Sequence, residues 1–296
     1  YYLIETAALE GYAFDDTRYE ADLVYTDDHT PLVETKITLV NEYLPVEITL
    51  QKEKEILETT NHDDGTVTQA IANVPGQGFI FGLYNDKDIH YSGGTLMADT
   101  LVATGTTDAD GNLTFAGHYP HGDYYIRELS APDGWKLNSN VFLITLDPSA
   151  QSDSVIRVAL PEAVHDELIY TRITLTKTDI TGEQTLPGAL IEVSNSSGEV
   201  IYRAYTDENG QIPDISVTPG TYTFREVLAP DSYALSEAKM SFTVDEYGNV
   251  TGDTVIRDDY TRVSLHKQNE DGLPLAGVAF TLLKEDGSTL MTAVSN

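Results

Sequence analysis

The 296-residue chain has no cysteine, which excludes disulfide staples, thiol nucleophiles and thioesters. Basic residues are scarce: 17 Lys and Arg stand against 48 Asp and Glu, a formal charge of −31. Such a surface is repelled by nucleic acid and anionic membrane, so neither is expected as the main partner. No apolar run is long enough to span a bilayer. Neither a secretion signal nor a wall-sorting tail is visible, and the sequence reads as an internal fragment of a larger protein. Hydrophobic residues make up 41%, an ordinary share for folded protein, so the acidity does not imply disorder. Helical periodicity is also lacking; a brief helical turn over 95–102 is the one candidate.

What is present is Thr, Val, Ile and Tyr between turns such as TDADGN and TDENGQ, the composition of an all-β protein with room for two or three domains. One segment recurs three times: YYLIETAALEGY at 1–12, YYIRELSAPDGW at 124–135 and YTFREVLAPDSY at 222–233. It places Glu5, Glu128 and Glu226 at matching positions. In a strand, Tyr124, Ile126 and Glu128 share one face, and a carboxylate on an apolar face costs stability unless something uses it. A second pattern ends in lysine: 48–52 (ITLQK), 173–177 (ITLTK) and 263–267 (VSLHK). Of nine lysines in the chain, Lys52, Lys177 and Lys267 take this one inward position. A third places Asn41, Asp166 and Asp258 two residues beyond an apolar residue, with strand parity. Asn41 and Asp166 each precede the next such lysine by 11 residues, and Asp258 by 9. That shorter junction leaves Asp259 as a rival to Asp258, which parity with Ile256 favours.

The order Lys, Glu, Asx therefore repeats at a domain-sized period. Residues 45–170 and 171–259 read as complete units. Residues 1–44 hold the C-terminal, Glu and Asx part of a unit, and 260–296 the N-terminal, Lys part of another. Within the first complete unit, 69–78 reads as an irregular loop and 79–84 as a strand. Short strands with turn punctuation imply β-sandwiches. Junctions without Gly/Ser runs imply a semi-rigid, elongated tandem array.

These motifs, with the LPGA turn at 186–189 and the E-x-x-AP segment, resemble Cna B-type repeats. Such repeats, also called SpaA-like or prealbumin-fold (Ig-like) domains, occur in adhesins and pilins of Gram-positive bacteria. The resemblance implies an intramolecular isopeptide bond from a strand Lys to an Asn or Asp, assisted by a catalytic Glu. The residue types suit that chemistry. A lysine in an apolar interior is pushed toward the neutral, nucleophilic amine. A buried Glu is pushed toward the neutral acid, which can donate to the Asx carbonyl and shuttle the proton. Folding supplies the proximity. Carried over residue by residue, Lys52 would join Asp166 with Glu128 assisting, and Lys177 would join Asp258 with Glu226. Glu5 and Asn41 would serve a lysine upstream, and Lys267 partners downstream. The first copy departs from the pattern with Ala-Leu in place of Ala-Pro.

The competing reading is that these groups form buried ion pairs without a bond, which are often no net gain in stability. The implied role is a structural stalk or shaft of a cell-surface adhesin or pilus-like fibre, extracellular and wall-anchored through another region. It is not a turnover enzyme and needs no cofactor or metal. Its partners would be neighbouring repeats, other copies in a fibre, or a host glycan or matrix protein. The last would make the larger first unit, with its extra 54–78 loop, a binding module. Weaker signals reduce to blander readings. Asp108, Asp110 and Asn112 begin like a calcium loop but lack the distal Glu, and suggest a hairpin turn. His118 and His121 could hold zinc but have no third ligand, and suggest a solvated loop. His165 and His266 point away from the inward face. Trp135 reads as packing after the Ala-Pro turn.

Overall fold

The computed structural model describes residues 1–24, 34–91, 93–150, 154–261 and 264–296. Val263, the first apolar residue of the third lysine pattern, lies outside them. Among the described residues there is no α-helix, only one 3-10 turn at Pro148–Ala150. Two tandem sandwiches dominate, each built because alternating apolar residues on two sheets bury one face against the other.

In the first sandwich, β1 (Val46–Asn61) and β2 (Val67–Pro75) are followed by β3 (Ile80–Asn85), β4 (Leu101–Thr106), β5 (Asn112–Gly117), β6 (Gly122–Ser130), β7 (Val141–Leu146), β8 (Ile156–Ala159) and β9 (Val164–Asp166). One sheet is centred on β1, with β5 antiparallel on one side and β8 and β9 parallel on the other. The opposing sheet runs β7-β6-β3-β4. Ile48, Phe79, Phe81, Leu83, Phe115 and Ile126 fill the space between. The second sandwich contains β10 (Thr171–Asp179), β11 (Leu190–Ser194), β12 (Val200–Tyr205), β13 (Gln211–Val217), β14 (Gly220–Leu228), β15 (Lys239–Val244), β16 (Val250–Gly252) and β17 (Val255–Asp258). Its sheets are β13-β10-β17 and β12-β11-β14-β15-β16. Its core includes Ile173, Ile191, Val193, Ile215, Phe224 and Phe242. Smaller pairs, Tyr2–Leu3 with Tyr19–Glu20 and Ala279–Leu283 with Thr289–Val294, lie outside both.

Several sequence expectations change. Most of the stretch 69–78 is strand, and only 76–78 is irregular: β2 pairs with the second half of β1 from Glu53↔Pro75 to Asn61↔Val67. The 54–78 insertion is thus mainly a long β-hairpin, paired over 53–61 and 67–75. Its exposure shows no clean two-residue alternation, and Ile71 is 44% exposed, because the backbone ladder rather than a buried face sustains it. The expected helical turn over 95–102 is absent. Asn85, fully buried, donates to the carbonyls of Lys87 (2.7 Å), Leu96 (3.2 Å) and Met97 (2.8 Å) and accepts from Thr100 N (3.0 Å). One side chain therefore satisfies the backbone that a helical turn would have satisfied. The TDADGN and TDENGQ turns are not hairpin turns: each carries the chain from one sheet to the opposite one. His121 is half-buried against Tyr43 rather than solvated, with ring centroids 5.2 Å apart.

The hairpin also reaches the second sandwich. Val67, 2% exposed, pairs with Arg203 at the edge of β12. Arg203 donates to the Gly65 carbonyl (3.1 Å), and Ser216 N to Gln69 Oε1 (3.2 Å). Arg203 is itself held by the buried Glu192, which Arg225 also grips (2.9 Å). Burial pushes the Glu192 carboxyl up, but the two guanidinium groups more than offset this and hold it below the usual value. At the junction, Leu168 N donates to Glu55 Oε2 (3.0 Å) and Ile169 N to the Gly134 carbonyl (2.8 Å).

Candidate functional site

Each sandwich fixes its lysine by backbone before its side chain is considered. Lys52 N donates to the Gly111 carbonyl (2.7 Å), and Gly76 N donates to the Lys52 carbonyl (2.9 Å). Lys177 N donates to Gly210 (2.8 Å), and Leu186 N to Lys177 (2.9 Å). Both glycines end the cross-sheet turns with positive φ, +77° and +68°. A Cβ on Gly111 would lie 2.3 Å from the Lys52 carbonyl oxygen, so only glycine allows the turn to approach this closely. Beside each turn sits a buried threonine. Thr107 Oγ1 donates to Gly76 O (2.6 Å) and accepts from Phe79 N (3.0 Å). Thr206 Oγ1 donates to Leu186 O (2.8 Å) and accepts from Ala189 N (3.0 Å). In the sequence these turns look like punctuation, and the T-D-x-x-G spelling they share is the signal of their closer role.

The acceptor strand lies parallel to the lysine strand with the same offset in both sandwiches. Lys52 is in register with Val164 and Lys177 with Ile256. Asp166 and Asp258, two residues on, therefore share the inward face with the lysine. The glutamate comes from the opposite sheet: Glu128 on β6 opposite Phe81, and Glu226 on β14 opposite Ile191. Lys52 Nζ contacts Asp166 Oδ1 and lies 3.1 Å from Glu128 Oε2. Lys177 Nζ contacts Asp258 Oδ1 and lies 3.3 Å from Glu226 Oε1. All six side chains are fully buried. The Lys52 amine also sits 4.5 Å above the Phe79 ring. Asp258, and not the half-buried Asp259, reaches Lys177.

Burial pushes both glutamates up to about 7, despite the neighbouring lysines, which lower them. Asp166 and Asp258 add to the rise, while a bond from Ser236 N (2.8 Å) opposes it at Glu226. Both Glu128 oxygens, Asp166 Oδ2, both Asp258 oxygens, Glu226 Oε1 and Lys177 Nζ are buried without a well-formed hydrogen bond. Held as plain ions, such groups would carry a desolvation penalty that the pairing does not fully offset. Chemically, the arrangement sets a lysine nitrogen against an aspartate carboxyl with a glutamate alongside that holds its proton up to about 7.

Of the remaining sequence candidates, Glu5 and Asn41 meet: Asn41 Nδ2 donates to Glu5 Oε1 (2.6 Å). No lysine pairs with Glu5 among the described residues. Lys267, expected inward, is exposed and pairs with neither among the described residues. His118 is exposed and bonds the Tyr43 carbonyl (2.6 Å). His165 is half-buried, 3.4 Å from Glu55, and His266 is exposed. Trp135 packs on Phe79 and donates Nε1 to the Glu55 carbonyl (2.7 Å).

Comparison with known proteins adds relatives to this geometry. The TIE protein of Bacillus anthracis is similar over 84% of this chain and 49% of its own, at 19% identity and a TM-score of 0.43. A C-terminal fragment of the pilus adhesin SpaC from Lactobacillus rhamnosus GG is similar over 72% of this chain and 96% of its own, at 18% identity and a TM-score of 0.43. Colossin-A of Dictyostelium discoideum is 23% identical over 226 residues, 66% of this chain but 2% of that protein. The chain thus spans about half of the TIE protein chain and a small fraction of Colossin-A. The family described as SpaA, prealbumin-like fold domain, matches residues 70–158 and again 171–259. Those two segments are more than half of the chain and carry Glu128 and Glu226. The chain belongs to the SpaA prealbumin-like fold domain family.

Proposed function

We propose that this chain is a section of the stalk or shaft of a bacterial surface adhesin or pilus-like fibre, locked by its own isopeptide bonds. The observation that carries the reading is the convergence, twice, of a buried amine, a buried carboxyl from the parallel neighbour and a buried glutamate from the opposing sheet. The complete repeats are 45–170 and 171–259, and 1–44 and 260–296 supply the Glu/Asn and Lys parts of flanking repeats. Localisation is extracellular, with wall anchoring through a region outside this chain. Partners are neighbouring repeats and other copies in a fibre.

In an apolar interior, a Lys ammonium and an Asp carboxylate exchange a proton to become a neutral amine and acid. The Lys52 amine then attacks Asp166 Cγ. Glu128, as the neutral acid, donates to the Asp166 carbonyl oxygen, then takes a proton from the nitrogen and delivers it to the departing hydroxyl. A C–N bond forms, a C–O bond breaks and one water leaves; nothing is oxidised. Lys177, Asp258 and Glu226 repeat these steps. Each bond forms once, so the glutamates are catalytic residues of a single-turnover reaction rather than of an enzyme. The bond ties the first strand of each sandwich to its last, so tension enters and leaves without shearing the sheets. Intact-mass spectrometry of the chain, with peptide mapping, tests this: two waters should be missing, with Lys52 joined to Asp166 and Lys177 to Asp258. An unmodified mass sinks the proposal.

A further inference from the structure

A second repeated constellation lies beside each glutamate, and it uses residues that the bond chemistry leaves unassigned. Seven residues after Glu5, Glu128 and Glu226 stand Tyr12, Trp135 and Tyr233. Two residues after Asn41, Asp166 and Asp258 stand Tyr43, Leu168 and Tyr260. Each pair forms an isolated antiparallel bridge, Tyr12↔Tyr43, Trp135↔Leu168 and Tyr233↔Tyr260. The same two backbone bonds flank every bridge. Ala13, Lys136 and Ala234 N donate to the carbonyls of Glu42, Glu167 and Asp259 at 2.8, 3.0 and 2.9 Å. Leu44, Ile169 and Thr261 N donate back to Gly11, Gly134 and Ser232 at 3.0, 2.8 and 3.1 Å. Side chains reinforce two of them: the Tyr12 and Tyr43 rings lie 4.9 Å apart, and those of Tyr233 and Tyr260 4.8 Å apart. The segment beyond each bridge also reaches the site. Asp15 N donates to Glu5 Oε2 (2.7 Å), Ser236 N to Glu226 Oε2 (2.8 Å), and Asn138 Nδ2 to the His165 carbonyl beside Asp166 (2.9 Å).

We propose that this bridge is a clasp that sets the acceptor carboxyl or amide against the catalytic glutamate, making Trp135, Leu168, Tyr233 and Tyr260 positioning residues; the proposal rests on the bond-forming reading above. The clasp ties the acceptor strand to the chain leaving the glutamate strand, which belongs to the other sheet, so it spans the two partners that strand pairing does not connect. Tyr12, Tyr43, Glu5 and Asn41 provide the separating observation. There the clasp is closed and Asn41 is bonded to Glu5 with no lysine paired to that glutamate among the described residues. Acceptor and acid are thus brought together by the clasp and not by an amine between them. A bond-forming reaction is sensitive to such placement, since a misplacement of about 1 Å costs on the order of 100-fold in rate.

The test is cell-free synthesis of the full chain, translation arrest, and a time course of the two crosslinked peptides by mass spectrometry. Tyr233→Ala should slow closure of Lys177 to Asp258 by roughly tenfold to 100-fold, with closure of Lys52 to Asp166 unchanged. Tyr233→Phe, which keeps the ring and the bridge, should close at the wild-type rate; a rate that falls as far as that of Tyr233→Ala overturns the assignment to ring and bridge. Closure of the Tyr233→Ala chain at the wild-type rate overturns the proposal. If that variant fails to give a protease-resistant second sandwich, Tyr260→Ala is followed in the same assay, where slowed closure supports the clasp and wild-type closure overturns it. A wild-type chain that loses no water overturns the bond-forming reading and the clasp with it, and that failure is distinguishable because it needs no variant.

Discussion

Replacing one whole triad with apolar residues separates a covalent lock from a buried ion cluster by the sign of the effect. The variant is Lys52→Met, Glu128→Met and Asp166→Val, chosen to fill the space with side chains suited to strands. If the three groups are only ions, each is desolvated and several of their atoms lack hydrogen bonds. Apolar replacement of such a cluster is neutral or stabilising by about 1–4 kcal/mol. If Lys52 and Asp166 are joined, the variant loses a crosslink spanning 114 positions, which in the chain-entropy treatment is worth roughly 5 kcal/mol. For a sandwich of this size that corresponds to a fall in Tm of about 20 °C. Trp135 is the sole tryptophan of the chain and packs on Phe79 in the first core, so its fluorescence reports that sandwich selectively. Thermal melts of wild type and triple variant, followed at the tryptophan, give the answer. A variant that melts at or above the wild-type temperature refutes the covalent lock. Lys52→Met alone is uninformative, because stranding two buried carboxyls destabilises under either account.

Other expectations follow from particular residues. With Glu128 and Glu226 pushed up to about 7, the acid form needed for closure is lost above that pH, so closure rates should fall there; a rate rising steadily through about pH 8 contradicts the assigned acid. The stability sign follows from the same shift. Each carboxyl binds its proton more tightly folded than unfolded, so its contribution in the open chain is complete below the ordinary value of 4.5 and lost as pH rises through about 7. Pulse proteolysis of newly made chain at about pH 5 and about pH 8 reads this difference. Gly111→Ala forces a Cβ to 2.3 Å from the Lys52 carbonyl at φ +77° and should cost about 3 kcal/mol or more. Gly65→Ala, with φ +81° but no neighbour within 4 Å, should cost only about 1 kcal/mol; equal urea midpoints for the two would contradict the close approach. Val67→Lys puts an amine opposite Arg203 at a site 2% exposed, and should release the hairpin tip. Faster proteolysis within 62–66 would show it, and an unchanged cleavage rate would show that the hairpin is not held there.

Much of the fold was legible because burial writes a two-residue period into β1, β6, β10 and β14. Parity placed Lys52, Lys177, Glu128 and Glu226 inward, and all four are buried. The same logic favoured Asp258 over Asp259, and Asp258 is the one that meets Lys177. Parity failed where burial does not govern. β2 is sustained by its ladder with β1 and by contacts to the second sandwich, so its sequence carries no core stripe and reads as loop. The 95–102 segment follows the hydrogen-bonding needs of one buried residue, Asn85, which no local periodicity encodes. The TDADGN and TDENGQ turns carry hairpin chemistry but join opposite sheets, because what fixes them is the lysine backbone that their glycines touch.

Periodicity tells which face a residue occupies and is silent about which sheet. That is why the sequence put lysine, aspartate and glutamate inward without showing that the glutamate alone comes from the far side of each sandwich. The distinction has a chemical consequence. Lys52 and Asp166 are brought together by the parallel pairing of β9 with β1, Val164↔Lys52 to Asp166↔Lys54, after β8 has paired with the start of β1 from Val46↔Ile156, so their meeting is as secure as the sheet. Glu128 reaches them only if the two sheets close at the correct depth. On the proposed reading, the acid arrives when the core between Phe79, Phe81 and Ile126 has packed, and bond formation therefore waits for native packing. An amine and a carboxyl paired in a half-formed sheet lack their catalyst, which protects a folding chain from locking a wrong structure. Making Glu128 dispensable, by raising closure in a variant with a loosened core such as Phe81→Ala, would contradict this order; the expected result is that Phe81→Ala slows closure in the first sandwich more than in the second.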